Sequence, residues 1–240
     1  YSSRDTVCDD CNESIERGGV LLIPAFAVGR TQLLLYALRH LKDQKIIPNI
    51  PIYIDSPMAI QVTGTHVRHQ EAWDIESRYM GQKGDEPLLP DNLHVHRSVN
   101  ESKQLNNVRE NAIIISASGM VTGGRILHHM FNKLPVKENT VLFIGYQAFG
   151  TRGRTIREGQ PSVKIHGQEV PVKAAVRAID GFSAHADQDE LLIWLKKFKN
   201  TPERVFLVHG EDESVEKLKD AIHREFKTDV TIPEYTDQFT

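Results

Sequence analysis

Short apolar runs alternate with stretches of helical spacing through the first 160 residues. Four runs are typical of buried strands and lie at 20–24, 50–54, 112–116 and 140–144, and a shorter strand is predicted at 93–96. Apolar residues at helical spacing predict helices at 4–16, at 30–42, from 57 to about 79, and from 125 to about 134. Repeated strand–helix units favour an α/β fold with a parallel sheet and helices on both faces.

The pattern changes after about residue 160. A hairpin is predicted at 163–173, followed by one β-α-β-α unit that ends in a short strand. In this unit, strands are predicted at 176–179 and 204–208, a helix at 188–198 and the final strand at 230–232. The run at 204–208 is apolar after its first residue, so we expect a fully buried strand there. A domain boundary is expected between residues 160 and 182.

Composition narrows the classes of function. The chain has 240 residues, a formal net charge of −3 and 25% charged residues, as in ordinary globular proteins. Without a global basic signature, any nucleic-acid contact would have to be a local groove. No apolar run approaches the roughly 20 residues of a membrane span, so no membrane role is expected. The use of only two cysteines fits a reducing compartment, and we expect a cytoplasmic location.

Two residue pairs have the spacing of metal ligands. Cys8 and Cys11 form a C-x-x-C motif, but it lies on a predicted helix without a second pair nearby. His94 and His96 would share one face of a strand. We expect the cysteines to serve packing and the histidines to lie on a solvated strand face.

Two further histidines lie where site residues would be expected. His185 precedes the predicted helix at 188–198, and His209 follows the strand at 204–208. Ligands of open α/β sheets gather at the carboxyl ends of strands, and a strand–helix–strand unit could bring both histidines to one rim. Alternatively, one caps a helix and the other lines a turn, and spacing alone leaves both interpretations open.

Two loops carry residues suited to a phosphate chain. Ser118 and Gly119 open a small-residue loop that leads to Arg125 and a helix, which would allow close backbone approach to a phosphate. The loop at 145–154 combines aromatic residues, glycines and arginines, as in surfaces that bind single-stranded nucleic acid. The alternatives are tight packing for the first loop and a solvated surface for the second.

Six motifs in order along the chain resemble one family. They are IPAFAVGR (23–30), IDSPMA (54–59), SGMVTGGR (118–125), GYQAFGT (145–151), FSAH (182–185) and VHGE (208–211). Together they resemble the β-CASP branch of the metallo-β-lactamase superfamily. These are RNA-processing nucleases related to the cleavage subunit of the eukaryotic polyadenylation factor and its prokaryotic counterparts.

The resemblance implies an architecture and a set of roles. Residues 1–182 would be the β-CASP domain, and 183–240 the C-terminal β-α-β segment of the metallo-β-lactamase domain. The protein would be a zinc-dependent ribonuclease with two zinc ions. His185 would be the catalytic acid and His209 a zinc ligand. The residues expected to bind RNA or its phosphates are Ser183, Ser118, Gly119, Arg125, Tyr146, Thr151 and Arg152.

The sequence departs from the family pattern in its metal ligands. The family's H-x-H-x-D-H motif and its other upstream ligands do not occur in the chain, and one histidine cannot hold two zinc ions. We therefore expect the chain to be the carboxyl-terminal part of such a nuclease and inactive alone. Alternatives are a non-catalytic RNA-binding scaffold of the same family and a hydrolase of small esters or lactams. Exposed sheet edges would favour a homodimer.

Overall fold

A computed structural model of the chain describes residues 3–73, 77–78, 86, 88–179, 181 and 185–239. The chain divides into two compact units, Tyr1–Ser183 and Ala184–Thr240. This division lies next to the predicted boundary after residue 182. The assignment of each unit to a named domain stays a prediction.

The first unit is built on a parallel sheet, as the alternation of strands and helices predicts. Its strands are β1 (Val20–Pro24), β2 (Ile52–Asp55), β3 (Leu93–Val95), β4 (Ala112–Ser116), β5 (Thr140–Phe143), β6 (Ser162–Ile165), β7 (Gln168–Pro171) and β8 (Ala175–Ala178). Within the described residues, six of these form one sheet in the order β3-β2-β4-β1-β5-β8, and every neighbouring pair is parallel. The strands β6 and β7 form a separate antiparallel hairpin.

Helices connect these strands and make up much of the second unit. In the first unit they are α1 (Ser3–Glu16), α2 (Arg30–Asp43), α3 (Pro57–Arg68), α4 (Val99–Gln104), α5 (Ile126–Lys133) and α6 (Arg152–Arg157), with short 3₁₀ turns at Gln70–Ala72 and Leu105–Asn107. The second unit contains α7 (Gln188–Leu195), β9 (Arg204–Phe206), α8 (Asp212–Phe226) and β10 (Asp229–Thr231). No helix in the described part of the chain combines the length and the apolar character that crossing a bilayer requires.

Both faces of the sheet are covered, which explains why its strands are apolar throughout. On β1, Leu21 and Ile23 belong to one core cluster with Leu38 of α2. The alternate residue Leu22 belongs to a second cluster, which includes Met130 of α5. Successive strand residues point to opposite faces, so both positions of the alternation must be apolar in a sheet that is buried on both sides. The predicted α/β class with helices on both faces is confirmed.

The helix that begins at Pro57 is shorter than predicted. It ends at Arg68, because His69 leaves the helical region with φ −104° and ψ 59°. The indole of Trp73 then donates a hydrogen bond of 2.8 Å to the carbonyl of His66, which satisfies a group in the last turn. A 3₁₀ turn follows at Gln70–Ala72, residues 77 and 78 are helical, and residues 74–76 and 79 lie outside the described residues.

The prediction of a fully buried strand at 204–208 is wrong. β9 ends at Phe206; Arg204 and Phe206 are exposed, and Val205 is half-buried. Among the described residues of this unit, the buried core consists of Leu195, Ile222 and Val230. An apolar run indicates burial only where the fold supplies a partner on each face, and β9 pairs with β10 in a sheet of two strands.

The C-x-x-C pair is integrated into the core. Both cysteines lie on α1, neither forms a disulfide, and Cys11 is buried in the same cluster as Val7. Burial raises the pKa of the Cys11 thiol, which keeps it protonated and disfavours metal or redox chemistry. The His94 ring is exposed and stacks on Tyr53 with ring centroids 5.3 Å apart, as expected for a solvated strand face.

Gly19 lies directly before β1 and so close to the backbone of Glu138 that a larger residue there should destabilise the fold. A Cβ at Gly19 would lie 1.9 Å from the carbonyl oxygen of Glu138, which is backbone and cannot move aside easily. We expect Gly19→Ala to lower the free energy of unfolding by about 1–3 kcal/mol, measured by urea unfolding. The control is Gly64→Ala on α3, where the nearest atom is a flexible Arg68 nitrogen at 3.6 Å. A better helix former there should leave stability equal or higher, and equal effects of both changes would contradict the prediction.

Candidate nucleic-acid interface

The candidate surface lies at the carboxyl edge of the parallel sheet. The central strand β1 pairs with β4 on one side and β5 on the other, all parallel, so the loops that follow these strands leave the same edge side by side. They are the loops at 25–29, 117–125 and 144–151. This edge is where open α/β sheets bind ligands.

The loop that begins at Ser118 is closed on itself. The Ser118 hydroxyl accepts hydrogen bonds from the amides of Thr122 at 3.0 Å and Gly123 at 3.3 Å. Gly124 has φ +79°, and a Cβ there would lie 2.5 Å from the carbonyl oxygen of Ala117. The glycine thus serves the tight packing that the sequence left open as an alternative. Contact of Ser118 with phosphate stays a prediction.

Gly119 makes room for an aromatic ring. A Cβ at this position would lie 2.7 Å from Cδ2 of Phe26, so only glycine lets the ring rest there. The Phe26 side chain remains 45% exposed. The loop after β1 therefore adds an aromatic residue to the interface that the sequence analysis did not single out.

Gln147 connects two of the loops. Its buried amide nitrogen donates to the carbonyl of Gly119 at 3.1 Å and to the carbonyls of Gly145 and Tyr146 in its own loop. Gly153 provides the necessary space, because a Cβ there would lie 1.8 Å from Oε1 of Gln147. The only signal for Gln147 in the sequence is a polar side chain within the motif GYQAFGT, because its partner Gly119 lies 28 residues away.

The 145–154 loop presents its aromatic residues to the surface while its polar residues hold the backbone. Tyr146 is 48% and Phe149 is 86% exposed. The Thr151 hydroxyl caps α6 by accepting from the amide of Arg154, and it donates to the carbonyl of Ala148. Arg152 donates from Nε to the Lys164 carbonyl at 2.7 Å. These partners show structural roles for Thr151 and Arg152; RNA contact by either residue stays a prediction.

Arg125 lies in an ion pair. Its Nη1 donates to Oδ1 of Asp55 at 2.7 Å and to the carbonyl of His96, and its Nη2 donates to the carbonyl of Arg97. The guanidinium therefore ties α5 to the ends of β2 and β3. Phosphate binding by Arg125 stays a prediction, and any such contact would have to share its donors.

Asp55 is the centre of a buried polar network. Its carboxylate is fully buried, and Oδ2 accepts from His129 and from the Ser102 hydroxyl, both at 2.6 Å. Burial alone would raise the pKa of Asp55, but the hydrogen bonds from His129, Ser102 and Arg125 outweigh it and hold the pKa below its ordinary value. The next residue, Ser56, caps α3 by accepting a hydrogen bond from the amide of Ala59, which leaves the Asp55 carboxylate for the network.

The second unit holds the two histidines of the sequence analysis. His185 is exposed before α7, where Asp187 caps the helix and forms a reciprocal capping box with Glu190. His209 follows β9 with φ +65° and lines a cavity of about 290 Å³ with Val215, among others. Ser183 lies outside the described residues.

The described residues do not fit a zinc centre. Among them, no group of three or more His, Cys, Asp or Glu side chains is placed to hold a metal ion. A structural or catalytic zinc needs at least three protein ligands, and His209 supplies one donor. A two-zinc site is therefore not built by the part of the chain that the structure describes.

The first unit is an α/β module with a candidate ligand surface at the carboxyl ends of its parallel strands, and family models identify this module further. A model described as the Beta-Casp domain matches residues 31–156, more than half of the chain. A second model, described as the Zn-dependent metallo-hydrolase RNA specificity domain, matches residues 169–233. The chain belongs to the β-CASP family of the metallo-β-lactamase superfamily, as the six motifs predict.

Curated relatives are similar over most of the chain. Ribonuclease TTHA0252 of Thermus thermophilus is 41% identical over 203 residues, which cover 85% of this chain and 46% of the relative. The transcription termination factor FttA of Methanocaldococcus jannaschii is 33% identical over 228 residues, covering 92% and 36%. FttA of Pyrococcus abyssi is 34% identical over 232 residues, covering 94% and 36%. The chain thus spans less than half the length of these relatives.

The Asp55 network predicts a pH-dependent stability. A depressed pKa means that the folded state binds fewer protons than the unfolded state near the ordinary value of about 3.9. The contribution of Asp55 is therefore present above that pH and is lost as pH falls through the lower, folded-state pKa. We expect Asp55→Asn to lower the free energy of unfolding at pH 7 by about 3–5 kcal/mol and to flatten the loss on acidification, measured by urea unfolding at several pH values.

The control for this prediction is Asp43→Asn. Asp43 forms an ion pair of 2.7 Å with Arg39 on the surface of α2, and such pairs contribute about 0–1 kcal/mol. Equal losses in the two variants, or an unchanged acid dependence in Asp55→Asn, would show that the network does not stabilise the fold as described.

Proposed function

We propose that the protein to which this chain belongs is a zinc-dependent ribonuclease that hydrolyses RNA phosphodiester bonds. One observation carries the proposal: the match to the RNA specificity model of a zinc-dependent metallo-hydrolase covers 169–233 and includes both His185 and His209. The exposed aromatic residues at the carboxyl edge of the sheet support RNA as the substrate, because aromatic faces stack on unpaired bases. A relative with 41% identity is named a ribonuclease.

The two histidines take different roles in this proposal. His185, exposed ahead of α7, protonates the leaving oxygen of the cleaved bond as a general acid. His209 contributes one metal ligand from the strand end at β9, and the remaining ligands come from residues outside the described part of the chain. Ser183 contacts the substrate phosphate. The chain by itself is inactive in this account.

The proposal also includes a cytoplasmic location and association of the protein with a second copy of itself. The chain uses only two cysteines, which supports a reducing compartment such as the cytoplasm. β9 and β10 form a small sheet, and an exposed edge of such a sheet supports association with a second copy.

A non-catalytic RNA-binding member of the family is the second candidate. It is favoured by the lack, among the described residues, of a group of three or more metal-ligating side chains. Relatives named transcription termination factors also carry this region. The two candidates differ in metal content and in cleavage.

Different roles for His185 and His209 predict that substituting each one in the whole protein changes a different property. We expect His209→Ala to lower the zinc content, measured by mass spectrometry of the metal, because a ligand is lost. We expect His185→Ala to retain zinc and to slow cleavage of a labelled single-stranded RNA by about 10²- to 10⁴-fold, because general acid catalysis contributes that much.

The control is His69→Ala, which removes an exposed imidazole paired with Glu71 and should change neither zinc content nor cleavage. Equal loss of zinc in His209→Ala and His185→Ala would contradict the division of roles. A whole protein that binds RNA, carries no metal and cleaves nothing would establish the non-catalytic candidate instead.

A further inference from the structure

We propose that Phe26 and Arg30, at the end of β1 and the start of α2, form a nucleotide subsite. The Phe26 ring would stack on one RNA base, and the Arg30 guanidinium would bind an adjacent phosphate. The inference rests on the proposed RNA function, and it assigns residues of the motif IPAFAVGR that have no other role in that function.

Phe26 is an aromatic ring that the fold holds at the surface. The ring rests on Gly119, where a Cβ would come within 2.7 Å of it, and 45% of the residue is exposed. Its backbone is fixed as well, because its carbonyl accepts from the hydroxyl of Thr31 at 2.7 Å and from the Thr31 amide at 3.3 Å. A positioned ring loses little conformational entropy when a base stacks on it.

Arg30 is a partly buried cation that lacks a described partner for one nitrogen. Its guanidinium lies beside Gly145 at the end of β5, since a Cβ on that glycine would lie 3.7 Å from Cζ. Among the described residues, its buried Nη1 has no hydrogen-bond acceptor. A donor that is buried without an acceptor is destabilising, so an anionic oxygen that reached this guanidinium would be bound favourably.

Two other arginines near this edge, Arg125 and Arg152, already donate hydrogen bonds to the protein. Arg125 donates to Asp55 and two carbonyls, and Arg152 donates to the Lys164 carbonyl. Burial lowers the pKa of Arg30, yet an arginine stays protonated, so the charge remains available to a ligand.

The Phe26 ring lies against Gly119 in the loop after β4, and the Arg30 guanidinium lies beside Gly145 in the loop after β5, at the same edge of the sheet. A single-stranded nucleic acid alternates bases with phosphates, so one strand along this edge could offer a base to the ring and a phosphate to the guanidinium. Phenylalanine offers no hydrogen-bonding group to the edge of a base. The subsite should therefore accept any base, with affinity from stacking and charge and without sequence readout.

The test measures binding of a fluorescein-labelled 12-nucleotide oligouridylate to the 240-residue chain by fluorescence anisotropy. We expect Phe26→Leu to weaken binding about 5- to 100-fold, because stacking contributes about 1–3 kcal/mol per base. We expect Arg30→Gln to weaken binding and to reduce the slope of log K against log salt by about 0.7, the value for one phosphate of a single strand. Arg30→Lys should restore part of the slope.

Control variants separate the subsite from general effects. Arg109→Gln removes an equal charge before β4, at the opposite edge of the same sheet, and should leave affinity and slope close to those of the unmodified chain. Tyr235→Leu removes an aromatic ring that is 97% exposed in the other unit. Gly119→Ala should displace the Phe26 ring and weaken binding, whereas Gly64→Ala on α3 should not.

The outcomes distinguish the subsite from the proposed function. An unmodified chain that binds RNA, with Phe26→Leu and Arg30→Gln within twofold of it and an unchanged salt slope, would overturn the subsite and leave the RNA function standing. An unmodified chain that does not bind the oligonucleotide would overturn RNA binding by this edge, and the subsite with it.

Discussion

The two-sided burial of the parallel sheet constrains everything else in the first unit. Because β1, β4 and β5 carry apolar residues on both faces, helices must cover both sides, and only the ends of the strands remain for polar chemistry. At the carboxyl edge, the loops that follow these strands leave side by side. Two glycines leave the space that side chains between these loops need: Gly119 accommodates the Phe26 ring, and Gly153 accommodates the amide of Gln147. The character of this edge thus follows from packing requirements in the sheet beneath it.

The bounds of the central strands could be predicted from the local pattern of apolar residues. β1 and β4 have the predicted bounds, because runs of apolar residues between turns have few other solutions in an α/β chain. The motifs at 23–30, 54–59, 118–125 and 145–151 lie at the carboxyl ends of β1, β2, β4 and β5. The prediction that β9 is fully buried is wrong, because burial of its apolar residues depends on what packs against each face of the two-stranded sheet that it forms with β10.

The polar partners could not be predicted in the same way. Asp55 contacts Arg125, which lies 70 positions further along the chain, and His129, which lies 74 positions further. Nothing in the spacing of the sequence indicates that these residues meet. Arg125 forms an ion pair with Asp55 that its neighbourhood in the sequence does not indicate, and its contact with phosphate stays a prediction. Phe26 was overlooked because it lies in an apolar motif, and only the fold shows that its ring stays at the surface.

The hydrogen bonds of Gln147 have a consequence for ligand binding. One buried amide joins the loop after β4 to the loop after β5, so folding fixes the relative position of the two loops where they meet. A ligand that meets a pre-organised surface does not have to order it, so less of its interaction energy is lost to conformational entropy. The edge should therefore act as a rigid template, and an unpaired strand would adapt its own shape to the spacing that the protein sets.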